Sequence, residues 1–372
     1  MFTCDFCGKE VENVENINDY NLCEECIEND EYRFCADCGK MIHVDDAVWI
    51  DEDYYCNDCH ETCNDCGCVM TRENAIYTNY SAICSSCYES DYITCESCGE
   101  VHDIDDAYRL GDEWYCEYCY KGALENIGIH EYGYKPNPDF NSMDDESEMR
   151  DNNLHVGIEL EILVFSINEF CNDIVSEFGY DEGMFYLKVD GSLTDDEGIE
   201  IVSQPMTYNF ITQSGDWKFV FDQMKVNEMN DTEGCGLHFH LDRNYLNENM
   251  IATIDYIVNH YNTYFEKFCG RQYNYYCRKN EKQSNNWGKN IGARHDAVNL
   301  TNGFTVELRF CKSTCDWDTF IQRVRLIFAI VEFAKNHNVK DCIDWGYYTF
   351  LSVFNKHFKK MFGVTPNISL DK

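Results

Sequence analysis

Basic residues and proline are scarce in this chain of 372 residues. It has 29 Lys and Arg against 68 Asp and Glu, a formal net charge of −39, and only 4 Pro. So acidic a chain lacks the clustered Lys and Arg that grip phosphate backbones or anionic lipid, which disfavours nucleic acid and membrane surfaces as partners. Residues 1–150 hold 37 acidic and 8 basic residues, so most of the acidity belongs to the amino-terminal part.

Long apolar runs are missing as well. The most apolar segment, 324–334, is interrupted by Arg325 and Glu332 and is shorter than the ~20 residues that cross a bilayer. The first residues show no basic region followed by an apolar one, as a secretory signal would. We therefore expect a soluble, cytoplasmic protein of two or three domains at ~150 residues each, whose cysteines stay reduced.

Cysteine, by contrast, is abundant: the chain has 24, most of them in one repeated pattern. Each of four modules contains two C-x-x-C motifs, separated by 15 residues in the first module and by 17 in the other three. A Gly follows the first motif every time, where it allows a tight turn that points backbone amides at the thiolates. The sixteen cysteines of the pattern are Cys4, Cys7, Cys23, Cys26, Cys35, Cys38, Cys56, Cys59, Cys63, Cys66, Cys84, Cys87, Cys95, Cys98, Cys116 and Cys119.

Four thiolates at this spacing suit tetrahedral zinc and leave no coordination position open for a substrate. We expect about four structural zinc ions, which fold the segment because it has little apolar core. The modules resemble the tandem zinc sites of LIM and other treble-clef domains, without the LIM histidine ligand and two-residue spacer. Pairing within each module and a RING-type cross-brace both remain open. This zinc arm, residues 1–127, either docks a protein partner or serves as a rigid acidic spacer.

A change of character marks the second domain. Residues 128–153 are typical of a linker, because they contain Pro136, Pro138, several Asn and an acidic cluster. From 154 to 372, strand-like segments of alternating polarity separate amphipathic segments. Apolar residues at intervals of three and four predict helices over 168–178, 210–229, 250–268 and 320–335.

Four strand-like segments carry apolar residues on one face and Glu, His or Arg on the other. The segments are HVGIELEI, GIEIVS, GLHFHLD and TVELRF. Their polar faces offer no Lys; the polar residues are Glu159, Glu161, Glu200, His238, His240, Glu307 and Arg309. Carboxylates on one face repel each other unless cations lie between them. Oxygen ligands with an occasional imidazole suit Mg²⁺ or Mn²⁺, and an Arg beside them indicates an anionic ligand such as phosphate.

The predicted fold class is therefore α+β. An antiparallel sheet is backed by helices and has a polar cleft in front, and a small zinc-stabilised repeat domain precedes it.

The ordered motifs resemble the amidoligase family of the carboxylate–amine ligase superfamily, whose catalytic sheet is that of glutamine synthetase and glutamate–cysteine ligase. The resemblance covers roughly residues 154–315, and a zinc-knuckle arm fused to such a ligase is similar to some bacteriophage arrangements, which would place the protein in the host cytoplasm. The matching motifs are G-x-E-x-E at 157–161, D-G-S at 190–192, G-I-E-I-V-S at 198–203, G-x-H-x-H at 236–240, and A-V-N-L with T-V-E-L-R-F within 297–310.

The resemblance implies an active site. Glu159, Glu161, Glu200 and Glu307, with one histidine of the pair (His238 as the expected ligand, His240 beside it), would hold the divalent ions that bridge ATP phosphates. Arg309 would stabilise the transferring phosphoryl group. A carboxylate substrate would form an acyl phosphate, and an amine would displace the phosphate to give an amide. Peptides and protein tails are among the substrates that carry such groups.

Softer assignments follow from the same resemblance. Arg294 and Asn299 lie where the family places substrate or phosphate contacts, and Lys312 stands where an Arg is expected. Arg271 either matches a family position or forms a surface salt bridge. A second function stays open: a zinc-dependent adaptor whose ligase-like domain binds nucleotide or a protein tail without turnover.

Overall fold

The structure is a computed structural model that describes residues 1–29, 31–110, 113–142, 153–163, 167–180, 183–189, 198–229, 234–280, 286–290 and 292–366. The chain divides into two compact units, Met1–Tyr120 and Lys121–Lys372. The D-G-S motif at 190–192 lies outside the described residues. Within them, every helix is too short or too polar to cross a membrane.

The first unit repeats one small plan four times. In each module the first C-x-x-C motif lies in the turn of a hairpin, and a second hairpin leads into the second motif. Short helices begin within the second motif of the first, third and fourth modules and contain its last cysteine: α1 (Glu24–Ile27), α2 (Ser85–Asp91) and α3 (Glu117–Asn126). The strands are β1 Phe2–Thr3, β2 Glu10–Val11, β3 Glu15–Ile17, β4 Tyr20–Leu22, β5 Tyr32–Phe34, β6 Met41–His43, β7 Val48–Ile50, β8 Asp53–Tyr55, β9 His60–Thr62, β10 Val69–Thr71, β11 Ile76–Tyr77, β12 Ala82–Ile83, β13 Tyr92–Thr94, β14 Val101–Asp103, β15 Ala107–Leu110 and β16 Glu113–Cys116.

One seven-stranded sheet organises the second unit. Its order is β17-β19-β20-β18-β21-β23-β22, and every neighbouring pair is antiparallel except β17 with β19. The four strands predicted from alternating polarity are β20, β18, β21 and β23, which lie side by side at its centre. The strands are β17 Ile129–His130, β18 Val156–Leu163, β19 Phe185–Val189, β20 Gly198–Ser203, β21 Gly236–Asp242, β22 Val298–Asn299 and β23 Thr305–Lys312.

The range 128–153, which the sequence suggested as a linker, contributes to this sheet. Ile129 and His130 form β17 and pair with Leu187 and Lys188. Further along the chain, the backbone amide of Asn141 donates to the carbonyl of Pro205 at 2.9 Å. The described part of this range therefore packs on the second unit, whereas 143–152 lies outside the described residues.

Helices back the sheet, but two of the predicted helices are wrong as single elements. The helix predicted over 210–229 is two helices, because Gly215 between them takes a left-handed conformation with φ of 96°. The helix predicted over 250–268 is interrupted at Tyr261, whose hydroxyl donates to two carbonyls outside it. The helices are α4 Ile167–Phe178, α5 Tyr208–Gln213, α6 Asp216–Val226, α7 Glu248–His260, α8 Asn262–Cys269, α9 Trp317–Asn336, α10 Val339–Cys342 and α11 Tyr347–Phe362.

Aromatic side chains join the helices to the apolar face of the sheet. Phe310 on β23 lies 5.2 Å from Phe265 on α8, and Phe185 on β19 lies 4.9 Å from Trp217 on α6, measured between ring centroids. All four rings are fully buried. The coarse prediction of a helix-backed sheet preceded by small cysteine-rich repeats is confirmed. The core lies on the helix-covered face of the sheet, and the polar side chains lie on the other face.

Candidate functional site

Four tetracysteine groups lie in the first unit. In each, the four Sγ atoms are within 4.8 Å of one another, and all four cysteines come from one module. The pairing is thus within modules rather than crossed between them. Groups of this composition suit structural zinc, which confirms the prediction that these cysteines can form zinc-knuckle sites.

The glycine turns of the four modules point backbone amides at the thiolates. Gly8, Gly39, Gly67 and Gly99 all have φ between 70° and 74°, as the tight turn requires. Burial raises the pKa of the Cys4 thiol, but the backbone amides of Cys7, Cys23 and Phe6 outweigh it and bring this pKa to about 6. A thiolate, the form that binds metal, is therefore favoured at the first position of the module.

The second candidate site is the polar face of the central strands, which we call the carboxylate face. Register places Glu161 opposite Glu200, Glu159 opposite His238, and His240 opposite Glu307. The structure therefore brings together the residues predicted from the four strands. We define the face by Glu159, Glu161, Lys188, Glu200, His238, His240, Asn299, Glu307 and Arg309.

His238 lies at the centre of this face. It is 2% exposed, and neither ring nitrogen has a hydrogen-bond partner. Carboxylate oxygens surround it: Glu159 at 3.5 Å and Glu307 at 3.9 Å from Nδ1, and Glu161 at 3.6 Å from Nε2. A buried imidazole without hydrogen bonds, facing three carboxylates, is a suitable ligand set for a divalent cation.

His240 and Glu159 form the closest imidazole–carboxylate contact, at 3.1 Å between Nε2 and Oε1. Burial lowers the pKa of His240, but the negative charge of Glu159 outweighs it and raises this pKa to about 9. Burial likewise raises the pKa of Glu159, and the charges of His240 and His238 bring it well below its ordinary value. The structure therefore favours the ionised carboxylate at Glu159.

Glu307 is held on both oxygens. The Arg309 guanidinium donates to Oε1, and the Asn299 amide donates to Oε2 at 2.6 Å. Burial raises the pKa of Glu307, but His240 and Arg309 outweigh it and lower this pKa. Asn299, predicted to contact substrate or phosphate, orients Glu307 in this structure.

Lys188 is a member of the face that was not predicted from the four strand-like segments, because it lies on a fifth strand. It lies on β19 directly opposite Glu200, and its Nζ is 3.0 Å from the Glu200 carboxylate. The sequence does contain the pattern of this strand. Apolar residues Phe185, Leu187 and Val189 alternate with Tyr186 and Lys188 immediately before the D-G-S motif.

Gly236 allows the face to close around His238. A Cβ at this position would lie 2.4 Å from His238 Nε2 and 2.6 Å from Arg271 Nη1, so both side chains would have to move to admit it. The Gly236 amide also donates to Glu161 at 2.5 Å. Arg271 is only 6% exposed and donates to the carbonyls of Arg309 and Cys311, so of its two alternatives the surface salt bridge is wrong.

Arg294 lies at the edge of the carboxylate face. It is exposed and donates to the hydroxyl of Tyr132, whose ring is also 5.4 Å from the Lys188 ammonium. Tyr132 follows β17 in the range expected as a linker, so its place at this edge was not predicted from the sequence. Arg294 thus remains available at the surface for an anionic ligand.

The two candidate sites differ in chemistry. Closed sets of four thiolates stabilise structure, whereas carboxylates and imidazoles on a sheet face can bind a hard divalent cation and anions attached to it. Comparison with known proteins adds no relative: no protein-family model matches the chain, and no curated protein is similar to it in sequence.

Proposed function

We propose that the second unit is an ATP-dependent ligase that joins a carboxylate to an amine, with a glutamine-synthetase-like catalytic sheet. The observation that carries the proposal is the convergence of Glu159, Glu161 and Glu307 on the buried, unpartnered imidazole of His238. The order of the G-x-E-x-E, G-x-H-x-H and T-V-E-L-R-F motifs along the chain supports the same activity.

Charge neutralisation is the main task in this reaction. Mg²⁺ or Mn²⁺ held by residues of the carboxylate face would supply positive charge to the phosphates of ATP. Arg309, anchored on Glu307, places a guanidinium beside this region, where it can stabilise charge on the transferring phosphoryl group. The face needs no nucleophilic side chain, since the substrate carboxylate attacks the γ-phosphate and the amine then attacks the acyl carbon.

Arg294 extends the site outward. Its guanidinium contacts Tyr132 at the rim, and the charges of Glu307 and Glu159 are close enough to raise its pKa after the larger effect of Tyr132. A cation in this position can attract an anionic substrate and orient its carboxylate toward the phosphates. We therefore assign substrate positioning to Arg294.

The zinc arm is proposed to dock a protein partner. Trp49, Tyr80 and Tyr118 are largely exposed on it, and exposed aromatic side chains are enriched in protein interfaces. The abundance of carboxylates favours a basic partner. An adaptor without turnover is the competing hypothesis, and it predicts capture of the partner by the arm with no release of ADP.

ADP release by the purified full-length protein tests the ligase proposal. We expect ADP and phosphate only when ATP, a divalent ion, a carboxylate and an amine are all supplied, with a condensed product of matching mass. The double variant Glu159→Gln/Glu161→Gln should abolish this release because it removes the two carboxylates on β18. Asp222→Asn, on the exposed face of α6, is the matched control and should retain full turnover.

Two outcomes would count against the ligase. Undiminished turnover in the double variant would place the chemistry elsewhere. No turnover with any carboxylate and amine, together with partner capture by the arm, would favour the adaptor.

A further inference from the structure

The fourth module of the zinc arm differs from the others beside its first C-x-x-C motif. In every module, the amide of the first cysteine donates to the carbonyl of the residue two places after the second cysteine, at 2.8–2.9 Å. This shared bond identifies equivalent positions, which are occupied by Lys9, Lys40, Cys68 and Glu100. The first two modules thus carry an ammonium at this position, whereas the fourth carries a carboxylate.

The second difference lies two residues further along the chain. In the first three modules this position is apolar and packs into the small core of its own module; the residues are Val11, Ile42 and Met70. In the fourth module it is His102, on β14 opposite Ile93. An imidazole therefore stands where the other modules have a core residue, and a polar group in such a position needs a partner.

His102 lies close to both Cys98 and Glu100. The Cys98 Sγ, a carboxylate oxygen of Glu100 and a ring nitrogen of His102 are all within 4.8 Å of one another. The Nε2 of His102 is buried and has no hydrogen-bond partner, although it lies 3.9 Å from Glu100 Oε2. A buried nitrogen in this state, close to a thiol and a carboxylate, indicates a ligand that the chain itself does not supply.

The chemistry of these three groups fits zinc. Thiolate, carboxylate and neutral imidazole are the ligand types that zinc takes in proteins. Cys98 and Glu100 are exposed, so an ion from solution can reach them, and the Asn79 amide holds the Glu100 carboxylate in place through a bond of 3.2 Å to Oε2. One Zn²⁺ on four thiolates leaves a charge of about −2, to which Glu100 adds, so a second cation beside it is favoured.

We propose that the fourth module binds a second, exchangeable Zn²⁺ on Cys98, Glu100 and His102, and that the Cys98 thiolate is shared with the structural zinc. A thiolate sulfur has enough lone pairs to bridge two metal ions, and three protein ligands leave a fourth position for water. Because one thiolate rather than four holds this ion, it binds more weakly than the structural zinc and requires free Zn²⁺. The site is independent of the proposed ligase.

Variants that copy the other modules test the ligands. His102→Ile introduces the apolar residue of the second module, and Glu100→Lys introduces its lysine. The full-length protein is dialysed against buffered Zn²⁺, and bound zinc is counted by elemental analysis. Each variant should bind one Zn²⁺ fewer than the unsubstituted protein, and zinc held elsewhere in the chain cancels in this comparison. Glu89→Lys, the same charge change at an exposed residue of α2, should lose none. Equal counts in all four proteins would overturn the site.

The shared thiolate is tested in the unsubstituted protein. After loading with ¹¹³Cd, two cadmium ions that share one sulfur show spin coupling to each other in the NMR spectrum, whereas ions in separate tetrathiolate sites do not. We expect one coupled pair in the unsubstituted protein and none in His102→Ile. A spectrum of the unsubstituted protein without a coupled pair would overturn the proposal, whether or not the fourth module folds in the variants.

Discussion

Lys188 and Glu200 form a buried ion pair across neighbouring strands: Nζ lies 3.0 Å from Oε2, and each side chain is about 6% exposed. Register places the two residues directly opposite each other on β19 and β20. Because Glu200 also lies opposite Glu161 on its other side, the lysine neutralises one of two facing carboxylates. The pair therefore neutralises Glu200 within the carboxylate face.

Lys188→Met should destabilise the protein by about 3–5 kcal/mol, since it leaves a buried carboxylate without its partner. Urea unfolding of the zinc-loaded chain, followed by circular dichroism, measures this. The double variant Lys188→Met/Glu200→Gln should recover most of the loss. Lys218→Met is the control: it removes the exposed ion pair between Lys218 and Asp222, which are one helical turn apart. It should lower the free energy of unfolding by no more than about 0.5 kcal/mol. A loss from Lys188→Met as small as that of Lys218→Met would contradict the buried pair.

Gly236→Ala should weaken Mn²⁺ binding by more than about 10-fold, because the new methyl group displaces His238 from the carboxylates. Gly157→Ala is the matched control. It lies opposite His240 on the adjacent strand, but its Cβ would meet its nearest neighbour at 3.6 Å, an ordinary contact. Calorimetry compares the two variants, and similar affinities would show that close approach at Gly236 is unimportant.

Cys95→Ser should reduce the zinc content from four ions per chain to three, since it removes one thiolate of the fourth module. Cys68→Ser provides the control within the same unit, because Cys68 belongs to none of the four tetracysteine groups. Elemental analysis of the purified proteins counts the zinc. Four ions in Cys95→Ser, or three in Cys68→Ser, would contradict the assignment of ligands.

Arg309→Lys should lower kcat by about 100-fold, because a lysine keeps the charge but loses the guanidinium geometry that stabilises the phosphoryl group. The amount of bound Mn²⁺ should stay that of the unsubstituted protein, since a guanidinium is not a metal ligand. Arg325→Lys, on helix α9 next to the Tyr208 hydroxyl, serves as the control. If both kcat and the Mn²⁺ count are unchanged in Arg309→Lys, Arg309 has no role in the reaction.

Sequence patterns predicted the central strands well, because a strand that is buried on one face alternates strictly. Val156, Ile158 and Leu160 are fully buried, and the alternating Gly157, Glu159 and Glu161 lie on the other face. The C-x-x-C spacing likewise predicted each cysteine group, although the choice between pairing within modules and crossed pairing needed the fold.

Other features depended on contacts far apart in the chain. The two-residue strand β17 has too little sequence to alternate, and only its pairing with β19 brings Tyr132 near Lys188. A surface salt bridge was one of two alternatives for Arg271, yet Arg271 is buried and donates to the carbonyls of Arg309 and Cys311. Both are tertiary effects, which local periodicity does not encode.

The transfer of oxygen from substrate to phosphate tests the ligase proposal most directly. The protein is incubated with ATP, Mg²⁺, an amine and carboxylates labelled with ¹⁸O in the carboxyl group, and the released phosphate is examined by mass spectrometry. An acyl phosphate leaves one labelled oxygen in the phosphate when the amine displaces it, so we predict one ¹⁸O per phosphate released. Phosphate that carries no ¹⁸O, in the presence of ADP release, would show that water rather than a carboxylate attacks ATP and would contradict the account.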